Sequence, residues 1–221
     1  MASVTVENYL KQLYLAEQEE LGDLVPMGRL ASVMGVVPGT ATTMVKALAD
    51  SALVVYEPRG GVKLTRAGEQ LALHVLRRHR LVELFLVEVL GLDWSEVHSE
   101  ADELEHAISD KVLEKMDAYL GRPRVDPHGD PIPPAKGKLA DVRLDSLADC
   151  EVHSTVRVAR VLDQEAAFLQ FVGKCGLTPG VTVRVERRDT QSDAVGVRPH
   201  GRAVVTLGTA AATKILVEEI S

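Results

Sequence analysis

The sequence predicts a mainly α chain: an N-terminal winged helix-turn-helix, a middle helical module and a C-terminal small β-barrel. Three observations predict it. Two short amphipathic helices flank a glycine turn and run at once into a basic hairpin; a set of longer helices follows. After a stretch dense in proline and glycine, the pattern changes to short alternating runs.

Each element has its own cause. Residues 4–20 place Val6, Tyr9, Leu10, Leu13 and Tyr14 at three–four spacing, an amphipathic helix. Val25-Pro26 opens a short helix over 27–34, Gly35-Val36 makes the turn, and Pro38-Gly39 precedes a second helix over 40–50 with Val45, Leu48 and Ala49 inward. Residues 53–56 and 62–64 read as strands, with Gly60-Gly61 supplying the positive φ of a tight turn. Thr65 caps a long helix to about Leu90, ended by Gly91; Ser95 opens another through about His106, and Ser109 a third through Leu120. The segment GRPRVDPHGDPIPPAKGK, 121–138, excludes a regular element and begins a linker. Beyond it, 154–161, 181–185, 194–197 and 203–207 read as strands of an SH3-like barrel. A helix over 165–175 interrupts them, and 209–217 reads as a closing helix.

Composition narrows the function classes. The chain has 221 residues, 46% hydrophobic but only 4% aromatic, so its cores are aliphatic. No apolar run is long enough to span a bilayer and the first residues lack a signal-peptide pattern, so a cytoplasmic protein with no membrane partner is expected. Cys150 and Cys175 form no zinc pattern and read as reduced thiols. The net charge of −7 is unevenly spread. Between Val25 and Arg66, Arg29, Lys46, Arg59, Lys63 and Arg66 outnumber Asp50 and Glu57; between Asp93 and Asp117 nine carboxylates face Lys111 and Lys115. A basic end suits a nucleic-acid contact and an acidic middle suits a cation.

The acidic middle carries the chemistry. His79 and Glu83 are one turn apart on one helix, and His98, Asp102, Glu105 and His106 share one face of the next. Buried without compensation, such a stripe would cost several kcal/mol per charged group, roughly, and a divalent cation removes that cost. A solvated acidic face is the alternative for His79 and Glu83 alone. It fails for the whole set, because Leu76, Leu84, Val87, Val97, Ala101, Leu104 and Ile108 make the adjoining faces apolar. His74, His128, His153 and His200 have no partner at helical spacing and are assigned no role. The donors are oxygen and imidazole only, which suits Mn(II); zinc accepts them but prefers nitrogen and sulfur.

VHSEADELEHAISDKV from Val97, RRHRLVELFL from Arg77 and DPHGDPIP from Asp126 together resemble the diphtheria-toxin-repressor family of metalloregulators, in its manganese-responsive branch. The resemblance covers nearly the whole chain. It implies a winged helix-turn-helix DNA-binding domain over 1–72, a helical metal-binding and dimerisation domain over 73–140 and an SH3-like barrel over 148–221. It also implies two metal positions per subunit. One is His79, Glu83 and His98 completed from the barrel by Asp163, with Gln164 or Glu165 as substitutes. The other is Asp102, Glu105 and His106 completed by Asn8 in the first helix. Iron-responsive members carry Cys at the place of Asp102 and Met in the first helix, so Mn(II) is expected here and Fe(II) is the alternative. Two departures stand out: Asn8 replaces the usual Asp, and Lys11 replaces a carboxylate one turn on, which disfavours a dinuclear site.

The resemblance further implies a homodimeric repressor of metal-homeostasis genes that binds a palindromic site on double-stranded DNA when metal is bound. Pro38, Gly39, Thr40, Thr42, Thr43 and Lys46 are the recognition-helix candidates; Arg59 and Lys63 in the wing are candidates for phosphate contacts. An enzyme is not expected: the sequence has no glycine-rich phosphate loop and no nucleophile motif, and no organic substrate is implied. A metallohydrolase using the His/Glu cluster is the distant alternative, and an interaction module resting on the barrel another.

Overall fold

The computed structural model describes residues 3–20, 24–135, 139 and 143–220. Ser3 starts α1 (Val4–Glu19), its hydroxyl accepting from the Val6 N–H at 3.3 Å. The helix buries Tyr9, Leu10, Leu13 and Tyr14. Next come α2 (Met27–Val33), a turn at Gly35 with φ +63°, and α3 (Pro38–Asp50). The last begins two residues before the sequence expectation, because Pro38 sits in the first turn, where no N–H is needed. Strands β1 (Val54–Glu57) and β2 (Gly61–Leu64) pair antiparallel with Val54 opposite Leu64. Val25 bridges to Val62 on the outer side. Gly61 is required there: a Cβ would lie 2.6 Å from the Val25 carbonyl oxygen.

Thr65 caps α4 (Arg66–Glu88), accepting from the Gly68 N–H at 3.2 Å, and Gly91 at φ +72° lies just past its end. The next helix, α5 (Val97–Leu104), is shorter than the sequence suggests at both ends. Asp93 Oδ1 ties down the Ser95 N–H and hydroxyl before it starts. Past its end, the Glu105 carbonyl accepts from Arg78. Glu105 and His106 therefore sit in a turn and not on a helical stripe. Ser109 caps α6 (Asp110–Tyr119).

The proline- and glycine-rich stretch is locally ordered. Asp126 Oδ1 accepts from the N–H groups of His128 (2.8 Å) and Asp130 (2.9 Å), and Asp126, His128 and Asp130 are buried. Residues 136–138, at its end, lie outside the described residues, as does residue 140, the expected end of the helical domain.

The C-terminal region comprises β3 (Asp145–Ser146), β4 (Thr155–Val161), α7 (Ala166–Cys175), β5 (Thr182–Asp189), β6 (Ala194–Pro199), β7 (Val205–Gly208), α8 (Thr209–Ala212) and β8 (Ile215–Glu219). One six-stranded antiparallel sheet runs β3-β8-β4-β5-β6-β7, and among the described residues its edges do not pair to close it. Val158, Val185, Leu207, Leu169, Val172 and Ile215 fill its core. The closing helix expected over 209–217 is overturned. Helix stops at Ala212, and Ile215 and Val217 then alternate inward as β8, paired with β3 and β4.

The chain divides into two compact units: Met1–His79 with Glu105–Ala107 and Pro133–Lys136, and Arg80–Leu104 with Ile108–Ile132 and Gly137–Ser221. α4 passes from the first to the second.

Candidate metal centre

In the first unit, α1 aligns Glu7, Asn8 and Lys11 along the turn 105–107. His106 is the centre of this group. Its Nδ1 donates to Glu7 Oε2 at 2.7 Å, which puts the ring's lone pair on Nε2, 2.8 Å from Asn8 Oδ1 and 3.2 Å from Glu105 Oε1. Three acceptor atoms so converge, at spacings close to the roughly 3 Å between neighbouring donors around a cation with bonds of about 2.1 Å. Glu7 is in turn held by Arg78, at 3.4 Å. A carboxylate that orients a ligand imidazole through its far nitrogen is the usual support of a metal-binding histidine.

Glu105 is fully buried and bridges two further groups. Its Oε2 accepts from His79 Nδ1 at 2.8 Å, and its Oε1 from the Lys11 ammonium at 2.7 Å. Lys11 Nζ also stands 3.5 Å from His79 Nδ1. The residue that the sequence marked as a departure is thus an internal cation inside the donor group.

In the second unit, Glu83 is 0% exposed, one turn beyond His79 on α4. Its Oε1 accepts from His98 Nδ1 at 3.1 Å. Asp102, exposed on α5, has His98 Nε2 at 3.8 Å. Asp163 is engaged elsewhere. Its Oδ2 pairs with Lys214 at 2.6 Å and its Oδ1 accepts from the Glu165 N–H at 3.0 Å. Burial alone would raise its carboxyl, but Lys214 and that N–H outweigh burial and hold it below the usual range. Gln164 donates to Asp130 Oδ2 at 2.5 Å, and Glu165 caps α7.

His128, given no role from the sequence, is fully buried in the second unit. Its Nε2 donates to the Trp94 carbonyl at 2.8 Å, and its Nδ1 stands 3.8 Å from Glu83 Oε2. Asp126 beside it is raised well above its ordinary value by burial and by the carboxylates of Asp130 and Glu83, against the opposing effect of Arg80. The available signal was a histidine between two aspartates in one turn.

On α3, Pro38, Gly39, Thr40, Thr43 and Lys46 are exposed and Thr42 is half-buried. The Thr42 and Thr43 hydroxyls donate back to the Pro38 and Gly39 carbonyls, so they present oxygen lone pairs and methyl groups outward. Arg59, at φ +70°, forms the tip of the hairpin, and both it and Lys63 are exposed.

Known proteins share this arrangement. The model for the iron dependent repressor N-terminal DNA binding domain matches residues 1–62, and that for the iron dependent repressor metal binding and dimerisation domain matches 65–134. An FeoA domain matches 146–219. The iron-dependent repressor IdeR of Mycobacterium tuberculosis is 31% identical over 229 residues, 98% of this chain and 97% of its own. The chain belongs to the diphtheria-toxin-repressor family. It is therefore a metal-dependent, DNA-binding transcriptional repressor, of a family that dimerises. The diphtheria toxin repressor of Corynebacterium efficiens is 35% identical over 169 residues, 76% of this chain and 70% of its own. Among solved structures, a manganese-dependent transcriptional repressor in complex with manganese superposes with a TM-score of 0.86 at 39% identity, covering 97% of this chain and all of its own. ScaR with bound Cd2+ gives 0.78 at 33% identity, covering 97% of this chain and 99% of its own. Among the described residues no helix is long and apolar enough to cross a membrane.

Proposed function

We propose that the chain is a manganese-responsive repressor of metal-homeostasis genes, with two metal positions in each subunit of a homodimer. Asn8, Asp102, Glu105 and His106 hold one. His79, Glu83 and His98 hold the other, completed from the C-terminal region by Asp163 once it exchanges Lys214 for the cation, or by Gln164 or Glu165. The observation that carries the reading is the convergence of Asn8 Oδ1 and Glu105 Oε1 on His106 Nε2. No sulfur joins these donors, and hard oxygen-rich sets favour Mn(II) over softer competitors. The metal supplies positive charge that lets these acceptors sit together. Glu7 and Arg78 orient His106, and Asn8 carries the link into α1 of the DNA-binding region.

With α1 fixed in this way, the two α3 helices of a dimer fit successive major grooves of a palindromic operator about one helical turn apart. Metal binds that competent state more tightly and shifts the population toward it. Thr40, Thr42 and Thr43 contact thymine methyls and phosphates, while Arg59 and Lys63 contact phosphates and make binding salt-dependent.

A gel-shift titration with Mn(II) against Fe(II) under anaerobic conditions tests the reading. Half-maximal operator binding at a lower free concentration of Mn(II) than the cell holds, with Fe(II) ineffective at its own cellular level, supports it. Fe(II) preference overturns the manganese assignment, and metal-independent DNA binding overturns the whole.

A further inference from the structure

The second unit contains a group of donors that neither position above uses. One ligand atom each of Glu83, Asp126 and His128 lies within 4.8 Å of the others, and all three residues are buried, at 0%, 3% and 0% exposure. Local chemistry assigns the atoms. Asp126 Oδ1 is taken by the N–H groups of His128 and Asp130, which leaves Oδ2 for the cluster. His128 Nε2–H is taken by the Trp94 carbonyl, which fixes the tautomer with its lone pair on Nδ1. Glu83 uses Oε1 toward His98 and turns Oε2 toward His128.

Two of these atoms point to a ligand independently of the acidic character of the group. Asp126 Oδ2 and His128 Nδ1 are buried and have no hydrogen-bond partner. Buried polar atoms are rarely left so, because each costs roughly 1–3 kcal/mol. The Arg80 Nε, 3.6 Å from Asp126 Oδ2, is too far to donate, and Arg80 is shared with Asp130, itself paired with Arg160 and Gln164. A protonated His128 facing Glu83 is the competing account. It leaves the Nδ1–H 3.8 Å from its acceptor, beyond hydrogen-bond reach. The same 3.8 Å is spanned by a cation with bonds of about 2.15 Å at an angle of about 125°.

We propose that Glu83 Oε2, Asp126 Oδ2 and His128 Nδ1 hold a divalent transition cation at a third position, with Glu83 bridging it to the His98 side. Two carboxylates and one imidazole suit Mn(II), Fe(II) or Zn(II). Its enclosure, with the imidazole anchored on the Trp94 carbonyl, makes it a structural cation. It fastens the 126–130 turn to α4, where the positions above respond to metal supply. Only Glu83 is shared with the function proposed above.

Crystals of the full-length chain soaked in Mn(II), measured at the manganese edge, test it. The expected result is an anomalous peak at coordination distance from all three side chains, in addition to those at His79/Glu83/His98 and Asn8/Asp102/Glu105/His106. Equilibrium dialysis should then show His128→Gln and Asp126→Asn each binding one Mn(II) fewer than wild type. Asp126→Asn keeps the oxygen that accepts the two backbone N–H groups, so it covers the case in which His128→Gln does not fold. The wild-type map decides if neither folds. No peak at this position overturns the proposal, whether or not the other two fill, and so does a peak or a stoichiometry unchanged in both variants. Empty positions at the other two sites overturn the function proposed above and leave this readout intact.

Discussion

Lys11→Met should make the metal-free protein less stable and its affinity for Mn(II) higher. Lys11 is 4% exposed and Glu105 0%, and their charged atoms are 2.7 Å apart. Methionine keeps most of the apolar stem and removes the ammonium. Breaking a buried pair by deleting one partner costs about 3–5 kcal/mol, because the other charge is stranded. With metal on Glu105 the sign changes. The cation would lie within about 4 Å of the ammonium, where a single and a double positive charge repel by about 8 kcal/mol at an effective dielectric near 20, before the lysine swings away. In the Mn(II)-saturated variant the cation itself compensates Glu105, and the penalty falls toward that of apolar packing alone.

The difference between the two penalties appears as binding energy, since stability and affinity are linked around one cycle. About 3 kcal/mol corresponds to roughly a hundredfold tighter Mn(II) binding. Thermal melts with and without saturating Mn(II), combined with a calorimetric titration, measure both sides of the cycle. An equal drop in Tm in the two conditions, with unchanged affinity, would refute the role given to Lys11.

Asn8→Asp, which adds a charge to an oxygen 2.8 Å from His106 Nε2, should tighten Mn(II) binding about tenfold or more by titration; an unchanged constant removes Asn8 from the site. Asp102→Cys should move the Zn(II)-over-Mn(II) affinity ratio toward zinc by an order of magnitude or so, and a constant ratio counts against Asp102 as a ligand. Glu17, whose carboxylate accepts from the Leu64 N–H at 2.5 Å, is raised by burial, only partly countered by that bond. Its folded value lies above its unfolded one, so its contribution is full below about pH 4 and is lost as pH rises through the raised value. Tm of Glu17→Gln minus that of wild type should therefore grow with pH and then level off; a flat difference from acid to neutral pH contradicts this. Gly129 has φ +86°, and a Cβ there would sit 1.9 Å from the Ala159 carbonyl oxygen. Gly129→Ala should cost several kcal/mol, roughly, and a Tm within a degree or two of wild type would show that the turn yields.

What the sequence made legible follows the range of the forces involved. The winged helix-turn-helix was readable because three–four apolar spacing, Pro38, Gly35 and the Gly60-Gly61 turn are local signals, and each element lies within a few residues of its expected place. The 209–217 segment misled because TAAA favours a helix, while the period-two burial of Ile215 and Val217 is decided by pairing with β4, more than fifty residues earlier. His128 was invisible for the same reason. Its burial depends on the Trp94 carbonyl and on the Val161 N–H that donates to its own carbonyl, neither of them near in sequence. Asp163 sits in a run whose local chemistry says nothing of Lys214, its partner from β8's approach. The donors around His106 were named correctly as a group by residue type. Their supports, Glu7 through Arg78 and Lys11 on Glu105, are contacts between α1 and residues some seventy to a hundred positions on.

Asn8 and Lys11 act in one direction. An amide in place of a carboxylate removes one negative charge from the donors, and the ammonium 2.7 Å from Glu105 adds one positive charge beside them. Both lower the affinity for every divalent cation by electrostatics that do not distinguish manganese from iron. Selectivity therefore rests on the atoms that do distinguish them, the oxygens of Asp102 and Glu105 and the His106 imidazole, with no thiolate to favour a softer ion. Affinity and selectivity are set by different residues of one site. A repressor built this way responds only when its metal is abundant, because its threshold is raised without its preference being changed. That separation predicts that Lys11→Met and Asn8→Asp shift the Mn(II) and Fe(II) response curves together, and that only a change of donor element moves one relative to the other.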